Sequence, residues 1–111
     1  MKKLFTNYHF EFDKNERKLL TTFSKQVLKQ ISGDNRYFAE TKAFNSILDK
    51  LTASSDAIKL TKDERTRLLN QLNENVKYLK KETAGSWFIR KWIYRSMLKQ
   101  YEGIIENHFR G

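Results

Sequence analysis

Apolar residues return every three or four positions along most of this chain, and the interruptions divide it into four amphipathic segments. The first is predicted over about Lys14–Ser32, where Leu19, Leu20, Phe23, Val27 and Ile31 share one face. Asp13 and Glu16 stand in the spacing of a capping box at its start, and Gly33 is a left-handed stop. The second is predicted over about Arg36–Ala53, capped by Asp34 or Asn35, with a stripe of Phe38, Phe44, Ile47, Leu48 and Leu51. Ser54-Ser55-Asp56 reads as a turn. The third is predicted over about Lys62–Thr83: Thr61 and Glu64 make its capping box, Leu68, Leu69, Leu72, Val76 and Leu79 its stripe, and Ala84-Gly85 its end. The fourth is predicted over about Trp87–Phe109 with Ser86 as N-cap. Its apolar arc holds Trp87, Ile93, Tyr94, Met97, Leu98, Tyr101, Ile104, Ile105 and Phe109.

Residues 1–12 follow a different rhythm. Tyr8, Phe10 and Phe12 alternate with His9 and Glu11, the period of an extended segment. The expected fold is therefore all-α: an antiparallel four-helix bundle built from two helical hairpins (13–111), with a short extended N-terminal arm (1–12) lying over a groove. The halves also resemble one another. Leu19-Leu20-x-x-Phe23-x-x-x-Val27 parallels Leu68-Leu69-x-x-Leu72-x-x-x-Val76, and Tyr37-Phe38, Phe44 and Leu51 parallel Trp87-Phe88, Tyr94 and Tyr101. Duplication and the generic likeness of any two amphipathic hairpins both account for this.

Composition agrees with a helical domain. The chain has 111 residues, no proline and no cysteine, so helices can run long and neither disulfides nor thiolate metal sites can form. A cytoplasmic location, soluble or peripheral at the inner face of a membrane, fits this. The start does not read as a secretion signal, since Asn7, His9, Glu11 and Asp13 interrupt any apolar run. Formal net charge is +9, which favours acidic partners such as nucleic acid, anionic lipid or an acidic protein surface. The excess is sharpest over 77–99, where Lys77, Lys80, Lys81, Arg90, Lys91, Arg95 and Lys99 face Glu82 alone. Lys77–Lys81 falls in the expected last turns of the third helix and complements its dipole there.

Little in the chain suggests catalysis. The two histidines, His9 and His108, lie near opposite ends, a poor basis for a metal site. There is no glycine-rich phosphate loop, nucleophile elbow or His-Glu-x-x-His. No enzyme activity, cofactor or metal is expected. The informative stretch is 86–95. At 100° per residue Phe88 and Trp92 fall outside the main apolar arc, one turn apart, on the side that carries Arg95 and Lys99. Three roles compete for these rings: cover by the arm or the preceding loop, docking to a protein or membrane-surface partner, and stacking on nucleic acid. Docking ranks above nucleic acid, because no recognition-helix motif is present.

The order Lys14-Asn15-Glu16-Arg17-Lys18-Leu19-Leu20, then Tyr37-Phe38-Ala39 with Ile47-Leu48-x-x-Leu51, then Ile58-Lys59-Leu60-Thr61-Lys62-Asp63 resembles the immunity proteins of pediocin-like (class IIa, enterocin A type) bacteriocins. The resemblance covers about residues 13–76. It implies an antiparallel four-helix bundle, monomeric and without catalytic activity. The implied role is to protect a bacteriocin producer by recognising, from the cytoplasmic side, the complex of bacteriocin and membrane-embedded sugar transporter. Recognition in that family is attributed to the carboxy-terminal part. Here that points to Phe88, Lys91, Trp92, Arg95 and Lys99. The alternative function is a basic nucleic-acid-binding or phage-type regulatory protein.

Overall fold

The computed structural model describes residues 8–53, 57–85 and 88–109, with side chains described throughout except at 84, 85 and 88–92. The fold is all-α. Along the chain run β1 (Tyr8–Phe10), α1 (Lys14–Ile31), a single 3₁₀ turn (Asn35–Tyr37), α2 (Phe38–Thr52), β2 (Ile58–Leu60), α3 (Lys62–Gly85) and α4 (Phe88–His108). These fall into two compact units, Met1–Leu68 and Leu69–Gly111.

In the first unit, α1 starts where its capping box forms. The Glu16 amide donates to Asp13 Oδ1 at 2.8 Å and the Asp13 amide donates to Glu16 Oε1 at 3.0 Å, which satisfies two amides that a helix start leaves orphaned. Gly33 ends the helix at φ +78°, a conformation that costs an L side chain about 1 kcal/mol or more. Asp34 then accepts from the Arg36 amide at 3.0 Å and opens the 3₁₀ turn. The chain reverses, and α2 packs on α1. Arg17 Nη1 donates to the Ala53 carbonyl at 3.0 Å, tying the start of α1 to the end of α2.

Leu20, Phe23 and Val27 of α1 and Ala43, Phe44, Ile47 and Leu51 of α2 are buried. Each of these side chains except Ala43 contributes about 1.5–3 kcal/mol by leaving water. Phe38 departs from the sequence expectation. Helical spacing puts it in the apolar stripe of α2, yet it is 71% exposed. It stands at the first residue of the helix, on the turn that leads in, and not over the α1 face.

Residues 1–7 of the arm lie outside the described residues; Tyr8–Phe10 is extended as the alternation predicts, and it has a partner the periodicity did not reveal. β1 pairs antiparallel with β2, with Tyr8 opposite Leu60, His9 opposite Lys59 and Phe10 opposite Ile58. Both strands put every second residue inward: Phe10, Ile58 and Leu60 are buried while His9 and Lys59 are exposed. Phe10 and Phe12 stack at 5.2 Å between ring centroids, and the Arg65 guanidinium lies 5.0 Å over the Tyr8 ring.

The second unit contains most of α3 and all of α4. Leu72, Val76 and Leu79 of α3 and Tyr101, Ile104 and Ile105 of α4 are buried, as is Phe109 just beyond. Ile93, placed by periodicity in the apolar arc, is 46% exposed. It lies at one edge of that arc, where its neighbour around the helix is the exposed Gln100. The third helix also continues two residues beyond its expected end, through Gly85, so its last turn carries no cation. Lys77, Lys80 and Lys81 stand within about two turns of that end, and Lys77 and Lys80 also approach Glu74 at 3.5 Å and Glu102 at 3.6 Å.

Candidate functional site

The five residues singled out from the sequence all fall on α4. Arg95 and Lys99 are exposed, one helical turn apart, as 100° steps place them. The side chains of Phe88, Lys91 and Trp92 lie outside the described residues, as do Ser86 and Trp87 altogether. On the described part of α4, Ser96 and Gln100 are also exposed and Ile93 half-exposed, while the side carrying Tyr101, Ile104 and Ile105 is buried. The outward side therefore offers two cations one turn apart, with Ile93 more than about 100° around the helix from them. Burial pushes the Tyr101 phenol above its ordinary value, against a hydrogen bond with the Asn75 side chain. It is a neutral, structural hydroxyl at physiological pH.

Between α3 and α4 lies an open groove of about 470 Å³, lined by Asn73, Val76, Lys80, Glu102, Gly103, Ile105 and Glu106. The Lys80–Glu102 pair crosses it, and both side chains are largely solvent-exposed. Screening keeps such a pair weak. Mixed charge and an open mouth suit a rim contact better than a closed ligand pocket.

The first unit holds a second groove, about 430 Å³, lined by Phe38, Ala39, Lys42, Ala43, Ser46, Thr61, Asp63 and Glu64. Its floor is the most organised polar cluster among the described residues. Glu64, 7% exposed, takes the Thr61 amide at 2.9 Å on Oε1, where Lys50 Nζ also donates at 2.6 Å, and accepts from the Ser46 hydroxyl on Oε2. Burial pushes this carboxyl up, but the hydrogen bonds from Lys50, Ser46 and the Thr61 amide outweigh it and hold it below its ordinary value. Beside it, Arg67 bridges Glu40 at 2.6 Å and Asp63 at 3.0 Å, which keeps the guanidinium firmly cationic. A carboxylate held ionised by a lysine, a hydroxyl and an amide is suited to holding α2 against the start of α3. It is not poised to exchange a proton near neutral pH.

Sequence reasoning found half of this cluster. Thr61 and Glu64 were legible as a capping box, but Ser46 and Lys50 meet Glu64 across 18 and 14 residues of chain, and no local spacing signals that. Among the described residues no three His, Cys, Asp or Glu side chains converge as metal ligands, and no helix is long and apolar enough to cross a membrane. Compared with known proteins, the chain matches no family model, no curated protein and no solved structure.

Proposed function

We propose that this protein works by contact: it is a non-catalytic interaction protein of the bacteriocin-immunity kind, and α4 carries its recognition surface. The observation that carries the reading is the exposed pair Arg95 and Lys99 on the outward side of α4, the side where the helical repeat also sets Phe88 and Trp92. Arginine and aromatic residues are favoured anchors in protein interfaces. A net charge of +9 speeds encounter with an acidic partner or an anionic membrane face. The resemblance over residues 13–76 supplies the class of partner: a transporter–bacteriocin complex approached from the cytoplasmic side.

The test is expression in a sensitive strain challenged with a panel of class IIa peptides. Protection against one of them is expected, and an Arg95→Glu/Lys99→Glu double variant loses it while its melting temperature stays within a few degrees. Full protection by that variant would remove α4 from the reading. A gel shift with duplex DNA that weakens steeply with salt would favour the nucleic-acid alternative instead.

A further inference from the structure

A second charged surface lies on α1, a different helix from the one that carries the residues assigned to recognition. Eight positions of this helix are exposed: Lys14, Asn15, Lys18, Thr22, Lys25, Gln26, Lys29 and Gln30. Four are lysines, four are neutral and polar, and none is acidic. The lysines are not scattered. At 100° per residue Lys14, Lys25, Lys18 and Lys29 fall within an arc of about 60°, and at 1.5 Å per residue they span about 22 Å of helix. No ion pair or hydrogen bond joins these four ammonium groups to any described residue; Lys42, Lys59, Lys62, Lys81 and Lys99 are likewise unpaired among the described residues, so it is the alignment of the four on one face that marks them. The one arginine of α1, Arg17, is turned to the Ala53 carbonyl, and Glu16 is folded back into the capping box.

From this row we infer that α1 is a membrane-surface face: its lysine ridge adsorbs the protein onto anionic phospholipid headgroups. Three features choose lipid over nucleic acid. The ridge is lysine throughout, with no arginine to fork a phosphate and no ring to stack on a base. Its spacing is irregular, four, seven and four residues, which mobile lipids can follow and the fixed phosphate repeat of a duplex does not. Its flank of Asn15, Thr22 and Gln26 offers neither an apolar wedge for insertion nor an acid to repel headgroups. Adsorption is therefore electrostatic, shallow and reversible by salt. The inference goes beyond the immunity reading and does not require it. Vesicle binding and cell protection are separate measurements, and either can fail alone.

The experiment is co-sedimentation of the full chain with vesicles of phosphatidylcholine and phosphatidylglycerol, about three to one, against phosphatidylcholine alone. Binding is expected to the mixed vesicles only, and is lost at about 1 M salt, where screening reaches about 3 Å. Each lysine near an anionic surface is worth roughly a fivefold change in partition, so Lys→Gln at 14, 18, 25 and 29 together lowers binding by about a hundredfold or more. Lys→Arg at the same four positions retains it. A charge-matched variant, Lys→Gln at Lys59, Lys62, Lys77 and Lys81, which are also exposed, loses less than about tenfold. Equal losses in the two glutamine variants would mean that net charge acts and not the ridge, overturning the proposal. So would indifference of the wild type to anionic lipid, or displacement from vesicles by duplex DNA at the same salt.

Discussion

Replacing Glu64 tests whether its buried cluster holds α2 to the start of α3. The Ala variant removes three things at once. The Thr61 amide loses its capping-box acceptor, worth about 1 kcal/mol. The Ser46 hydroxyl loses a charged acceptor, about 1.5 kcal/mol. Lys50 loses its carboxylate at 2.6 Å; with the lysine side chain about a third exposed and the glutamate 9% exposed, screening limits that pair to about 1 kcal/mol. Glu64→Ala should therefore cost about 3.5 kcal/mol, near 15 °C in melting temperature for a chain of this length. Glu64→Gln keeps the volume and an acceptor oxygen and should cost about 1.5 kcal/mol. Urea unfolding at pH 7 reads both. The pH dependence has a fixed sign. The folded carboxyl titrates below its ordinary value of 4.5, so its contribution is complete above that value and is lost as pH falls through the folded one. The gap between wild type and Glu64→Gln should stay constant from neutral pH down to the ordinary carboxylate range and narrow only in more acid solution. A cost under about 1 kcal/mol for Glu64→Ala, or a gap that widens in acid, would refute the assignment.

Three further outcomes follow from single positions. Ser24 is fully buried and its hydroxyl has no hydrogen-bond partner among the described residues, so Ser24→Ala should be neutral or stabilising by up to about 1 kcal/mol in the same urea assay. Gly33→Ala should cost about 1 kcal/mol because φ is +78° there, although nothing lies within 4 Å of the added carbon; a larger loss would point to a hidden clash. Phe38→Ser, at a ring 71% exposed, should change stability by less than about 0.5 kcal/mol, and a fall of several degrees in melting temperature would return that ring to the core.

The parts of this fold legible in the sequence are those that local chemistry decides. Asp13 with Glu16 and Thr61 with Glu64 close their boxes within one turn, and Gly33 has the only backbone freedom its position tolerates. Helical periodicity placed Phe44, Ile47, Leu51, Leu72 and Tyr101 inside because each belongs to a stripe several turns long. Legibility failed where a few residues are overruled by their surroundings. Ile58-Lys59-Leu60 is too short for a periodic signal and becomes a strand because β1 lies beside it. Gly85 stays helical because one glycine costs only about 1 kcal/mol against a helix already propagating. For the candidate site, the exposure of Arg95 and Lys99 was readable from angle alone. The lysine row of α1 was equally readable, at spacings of four, seven and four residues, but those residues looked like ordinary solvated surface until the exposed face of the helix proved to hold four lysines and no acid.

The pairing of β1 with β2 also orders events in time. Tyr8–Phe10 is made first on the ribosome, yet its mate, Ile58–Leu60, is made some fifty residues later. Until then, two aromatic rings destined for the interior stay in water or in temporary company, while the helical hairpin between them can already form from neighbours close in sequence. Closing the arm is thus a late, long-range step. A chain stalled before residue 60 would display Phe10 and Phe12 to whatever chaperone or sticky surface met them first.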